Sequence, residues 1–112
     1  MRKLRKENNM EKKESEKVLE RMLCRRIKEL GGHAYKFVSP NQRGVPDRVC
    51  ILPHGYTVFV ELKSTGKKPT KLQQMCINEL RELGQYCRVI DSTESLNETI
   101  DTYLDWVDSE YN

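Results

Sequence analysis

The stretch that most limits the fold is Tyr56-Thr57-Val58-Phe59-Val60-Glu61-Leu62-Lys63, the most apolar strand-like run in the chain, ended by two charges. Its alternation predicts a β-strand. Val58, Val60 and Leu62 share one face and can pack beneath a helix. Glu61 and Lys63 project together from the other, roughly 6–7 Å apart along the strand. Charges on a dry patch need compensation. A chain with this strand is therefore built around a sheet, with helical cover on one face and a charged patch on the other.

The flanking residues supply the rest of that sheet. His33 to Val38 alternates and reads as a strand, Ser39 to Pro46 is a polar loop, and Val49-Cys50-Ile51-Leu52 is a second strand. A turn at Pro53-His54-Gly55 pairs this second strand with the one ending in Glu61 and Lys63, which brings Asp47 alongside Glu61. Upstream, Leu19, Leu23, Ile27 and Leu30 form a helical stripe that stops at Gly31-Gly32. Downstream, Ser64 to Pro69 is a basic loop, and Thr70 with Gln73 forms a capping box. Leu72, Met75, Cys76, Leu80 and Leu83 are the expected buried face of the helix that follows. Tyr86 to Ile90 is a fourth strand. A final helix from Ser92 or Thr93 carries the stripe Leu96, Ile100, Tyr103, Leu104 and Val107. The predicted order is αβββαβα, one α/β domain over residues 15–112, preceded by a flexible basic arm over residues 1–14.

Charge is unevenly spread. The net charge of the 112 residues is +3, but all 20 basic residues lie at or before Arg88, so that part carries +10 and the remainder −7. A basic body suits a polyanionic partner. No apolar run approaches a membrane span, and the charged Met1–Lys17 segment is unlike a secretory signal, so the expected location is cytoplasmic. Cys24, Cys50, Cys76 and Cys87 lack the close spacing of zinc ligands and read as reduced core thiols. His33 and His54 read as a strand start and a turn residue, and Tyr103 and Trp106 as packing or dimer residues.

The chemistry concentrates at Asp47, Glu61 and Lys63. A divalent cation bridging the two carboxylates relieves their repulsion, with the Leu62 backbone carbonyl as a further oxygen ligand. Lys63 beside it can orient a water, help deprotonate it or stabilise charge on a phosphate. That combination suits metal-assisted phosphodiester hydrolysis.

Pro46-Asp47 followed by Glu61-Leu62-Lys63 resembles the signature of the PD-(D/E)xK nucleases. The fuller Gly44-Val45-Pro46-Asp47-Arg48-Val49 and Val58-Phe59-Val60-Glu61-Leu62-Lys63 is similar to the VRR-NUC family within them, over about Ser15 to Ser92. The resemblance implies a restriction-endonuclease-like domain with a central mixed sheet flanked by helices. It implies a Mg²⁺- or Mn²⁺-dependent DNA endonuclease, selective for branched DNA such as Holliday junctions, working as a homodimer, in a stand-alone module like those of phages.

It also implies a metal-ligating glutamate on the first helix, Glu20, with Glu16 one turn earlier as the alternative. Gln73 matches a glutamine that binds water or phosphate, and capping explains it equally well. Ser39 corresponds to a loop serine near the scissile phosphate in related resolvases. Lys36, Arg43, Arg48, Lys67, Lys68 and Lys71 cluster around the motif and suit DNA phosphates. The competing expectations are a nuclease acting on flaps, ends or single strands, and a DNA-binding module that cuts nothing.

Overall fold

Ser15 opens the first helix by accepting the Val18 N–H on its side chain, as the serine before an apolar stripe should. The computed structural model in which this is seen describes residues 13–112. The arm expected over residues 1–14 therefore falls almost wholly outside the described residues. Helix α1 (Glu16–Glu29) leads into strands β1 (His33–Lys36) and β2 (Arg48–Leu52). A short 3-10 turn at Pro53–Gly55 precedes β3 (Tyr56–Leu62), followed by α2 (Lys71–Glu82), β4 (Tyr86–Ile90) and α3 (Thr93–Tyr111). The order is αβββαβα, as the hydrophobic periods predict.

The four strands form one mixed sheet in the order β1-β2-β3-β4. The first two pairings are antiparallel and β3 with β4 is parallel. In the hairpin, Cys50 pairs with Val58 and Arg48 with Val60. Side chains alternate across a strand, so this register decides which groups share a face. Val58, Val60 and Leu62 point into the main core with Leu19, Leu23 and Ile27 of α1 and Leu96, Ile100 and Tyr103 of α3. Burying each such side chain contributes about 1.5–3 kcal/mol. Tyr56 and Trp106 extend this layer, with ring centroids 5.0 Å apart.

On the opposite face α2 packs against β4. Only Cys76 and Ile77 of this helix are fully buried. The expected buried face is corrected here: Leu72, Met75 and Leu83 are 42%, 59% and 69% exposed. A single helix over the outermost strand has a narrow contact line, so the flanks of its apolar stripe face outward. Leu104 of α3 is likewise exposed. All four cysteines are free thiols, and burial pushes Cys50 up to about 12 and Cys87 up to about 11. Among the described residues no helix is long and apolar enough to cross a membrane.

Candidate active site

The Ser39–Pro46 loop delivers Asp47 to the start of β2, and its shape depends on Gly44. Gly44 has φ +83°, and a Cβ there would lie 2.9 Å from the Leu72 carbonyl oxygen, so both backbone and space exclude a side chain. Cys76 donates from its thiol to the Arg43 carbonyl at 3.3 Å, tying the loop to α2. Phe37 N–H donates to the Asp47 carbonyl at 2.9 Å. With Arg48 opposite Val60, Asp47 and Glu61 are the next pair along the hairpin and share the face away from the main core.

Asp47 Oδ2 accepts the Leu62 N–H at 2.7 Å. Glu61 is 1% exposed, and its Oε1 is buried without a hydrogen-bond partner among the described residues. Its Oε2 lies 3.7 Å from Lys63 Nζ, while Lys63 N–H donates to the Ile90 carbonyl at 3.0 Å. Burial, foremost, and then the charge of Asp47 push the Glu61 carboxyl up to about 7 against the opposing pull of Lys63; a smaller upward push comes from Glu16. Two neighbouring carboxylates, one with an orphaned buried oxygen, form a donor set that fits a hard divalent cation.

The remaining predicted site residues are distributed around this centre. Glu20 Oε2 accepts from Arg48 Nε at 3.2 Å and Nη2 at 3.0 Å. Among the described residues, Asp47 and Glu61 are not joined by a third His, Cys, Asp or Glu in a ligand-forming cluster. Gln73 completes the capping box, its Oε1 accepting the Thr70 N–H at 2.8 Å. Ser39 accepts the Gln42 N–H on its carbonyl at 3.2 Å. Lys36 is exposed beside Arg48 in the β1–β2 ladder, and Arg43 is exposed in the loop. Lys67, Lys68 and Lys71 line one cleft of ≈ 480 Å³ together with Pro69, Thr70, Gln74, Val89 and Asp91.

Sequence reasoning missed Glu14 and Thr65. Thr65, two residues beyond Lys63, is buried; its hydroxyl accepts the Glu14 N–H at 3.0 Å and donates to the Asp91 carbonyl at 2.8 Å. Thr65 N–H donates back to the Glu14 carbonyl at 2.9 Å, and the Glu14 carboxylate accepts both the N–H and the hydroxyl of Thr93 at the start of α3. A glutamate preceding a helix-capping serine carries no periodic signal of such a long-range contact.

No protein-family model matches the chain. Over 79 residues it is 46% identical to "Putative nuclease p44" of Acyrthosiphon pisum secondary endosymbiont phage 1, across 70% of this chain and 85% of that protein. A solved structure described as a VRR_NUC domain superposes with a TM-score of 0.75 at 27% identity, covering 80% of this chain and 99% of the other.

Proposed function

This chain belongs to the VRR-NUC nuclease family, and on that premise we propose that it hydrolyses phosphodiester bonds in DNA with a divalent cation held by Asp47 and Glu61. The observation that carries the reading is the pair itself. Asp47 and Glu61 converge from neighbouring strands, one Glu61 oxygen is buried without a partner, and Lys63 stands beside the other. In this reading residues 15–112 are the nuclease domain, and the Leu62 carbonyl completes the oxygen ligands on the same strand. Glu16, whose charge is felt at Glu61, is the helix carboxylate that joins them, while Glu20 is engaged by Arg48.

When bound, Mg²⁺ or Mn²⁺ supplies positive charge for the scissile phosphate and lowers the cost of ionising the attacking water. Lys63 orients that water through its ammonium and offsets charge developing on the phosphate. The Leu62 N–H, donating to Asp47 Oδ2, restrains the direction of that carboxylate. Lys67, Lys68 and Lys71 of the cleft hold the flanking backbone by charge and carry no base information, and the exposed Lys36 and Arg43 are further phosphate contacts of this reading. Gln73 and Ser39 are the ancillary phosphate contacts of this reading.

Branched DNA, of the four-way-junction type, is the proposed substrate class, in the cytoplasm of the cell that holds it. Paired nicks on a junction need two active centres, and one chain carries one Pro-Asp…Glu-x-Lys set, so the acting form is a homodimer. The deciding experiment is cleavage in Mg²⁺ or Mn²⁺ over four-way junctions, flaps, plain duplex and single strands. Preferential, symmetric nicking of the junction supports the proposal. Equal cutting of linear ends overturns its branched-DNA part, and binding without any metal-dependent product overturns the enzymatic part.

A further inference from the structure

Arg48 follows Asp47 directly, yet the two side chains serve opposite faces of the sheet. Arg48 is paired with Val60, whose side chain lies in the main core, whereas Asp47 shares the other face with Glu61. On the core-side face the Arg48 guanidinium makes three hydrogen bonds. Nε and Nη2 reach Glu20 Oε2 on α1, and Nη1 donates to the Ala34 carbonyl of β1 at 3.0 Å. The side chains of Arg48 and Glu20 are 18% and 29% exposed, so the pair is largely sheltered from water.

We infer that Arg48 is a positioning residue for the nuclease reaction and that Glu20 is its anchor rather than a metal ligand. The inference deepens the proposed nuclease reading and rests on it. One guanidinium joins α1, β1 and β2 at the residue next to Asp47, which fixes the height of α1 against the hairpin and the direction in which Asp47 leaves β2. The planar guanidinium fork holds a carboxylate and a carbonyl at once in fixed directions. An ammonium at the same position keeps the charge but cannot reproduce three directed bonds. A phosphate contact made by charge alone, by contrast, tolerates lysine.

The test is a charge-reversal cycle in the 112-residue chain, Glu20→Arg, Arg48→Glu and the double reversal, with the conservative Arg48→Lys and Glu20→Gln beside it. Three readouts are taken: kcat and KM for DNA cleavage in Mn²⁺, melting temperature without metal, and Mn²⁺ affinity by calorimetry. Each single reversal is expected to lower kcat by about tenfold or more and to lower the melting temperature, with the double reversal regaining most of both. Arg48→Lys lowers kcat while KM for DNA stays within about twofold, unlike the loss of a phosphate contact. Glu20→Gln leaves Mn²⁺ affinity within about threefold, since a neutral amide removes the anchor but no ligand.

A tenfold loss of Mn²⁺ affinity in Glu20→Gln overturns the inference and makes Glu20 a ligand. A double reversal as inactive and as unstable as the singles overturns it too. Regained melting temperature without regained cleavage leaves a pair that serves the fold alone, and equally overturns positioning. A wild-type chain that binds DNA but never cuts it removes the nuclease reading instead, and the melting cycle still reports whether the two charges are coupled.

Discussion

Lys63 Nζ lies 3.7 Å from Glu61 Oε2 at a carboxylate that is 1% exposed, so one ion pair carries most of the compensation for a charge taken out of water. With the Glu61 carboxyl raised from 4.5 to about 7, the folded metal-free protein binds a proton more tightly than the unfolded chain does. Stability is then highest below the unfolded value and falls as pH rises from about 4.5 to about 7. The loss is up to about 3 kcal/mol. Urea unfolding in chelator should show this fall in the wild type and lose most of it in Glu61→Gln.

Divalent cations should reverse that penalty. At 100 times its dissociation constant a ligand specific to the folded state adds about 2.7 kcal/mol. Melting temperature should therefore rise on adding Mn²⁺ to the wild type and stay unchanged in Asp47→Asn, which lacks one of the paired carboxylates. An equal rise in that variant would show the cation binding somewhere else.

Removing the ammonium should separate chemistry from binding. Lys63→Ala is expected to cut kcat by about 10²- to 10⁴-fold. DNA affinity should change little, because the proposed phosphate contacts are the cleft lysines at 67, 68 and 71. Single-turnover cleavage with a parallel gel-shift titration measures both; full activity in the variant excludes the assigned role.

The cleft lysines should behave as counterion-releasing contacts. Each of Lys67→Ala, Lys68→Ala and Lys71→Ala is expected to reduce the slope of log affinity against log salt by about 1. The reduction should be the same for junction and duplex DNA, since phosphate contacts do not read sequence. Affinities measured over a range of salt concentrations check it.

Glu14 should matter for stability out of proportion to its place near the chain start. Glu14→Ala removes the acceptor of Thr93 N–H and hydroxyl at the first turn of α3 and should cost about 1 kcal/mol, within the range of helix caps. Thr65→Ser keeps the hydroxyl and should stay near wild type, whereas Thr65→Val strands the Glu14 N–H. Chemical denaturation of the three variants orders them.

The sheet and its charged patch were legible from the chain because their periods are short. Alternation through Tyr56–Leu62 fixed the faces of β3, and the turn at Pro53–Gly55 fixed its pairing with β2, so the convergence of Asp47 and Glu61 followed. Family likeness drew Glu20 toward the metal, and a helical wheel cannot show the contact that Arg48, on a strand far away in sequence, makes with it. The outward face of α2 escaped for a related reason: an apolar stripe reports how much surface a helix can bury, not how much its neighbour offers. Glu14 and Thr65 were invisible because hydrogen bonds between distant loops leave no local trace.

The link from Glu14 to Thr93 spans 79 positions of the chain. It lies in the same network that secures the turn after Lys63 through Thr65. During synthesis from the N-terminus, a growing polypeptide has Asp47, Glu61 and Lys63 well before it has β4 or the first turn of α3. The parallel partner of β3 and the last cap of that turn arrive together, late. Until the chain reaches residue 93, Asp47, Glu61 and Lys63 lack both the parallel partner of β3 and the anchor of the turn that follows them.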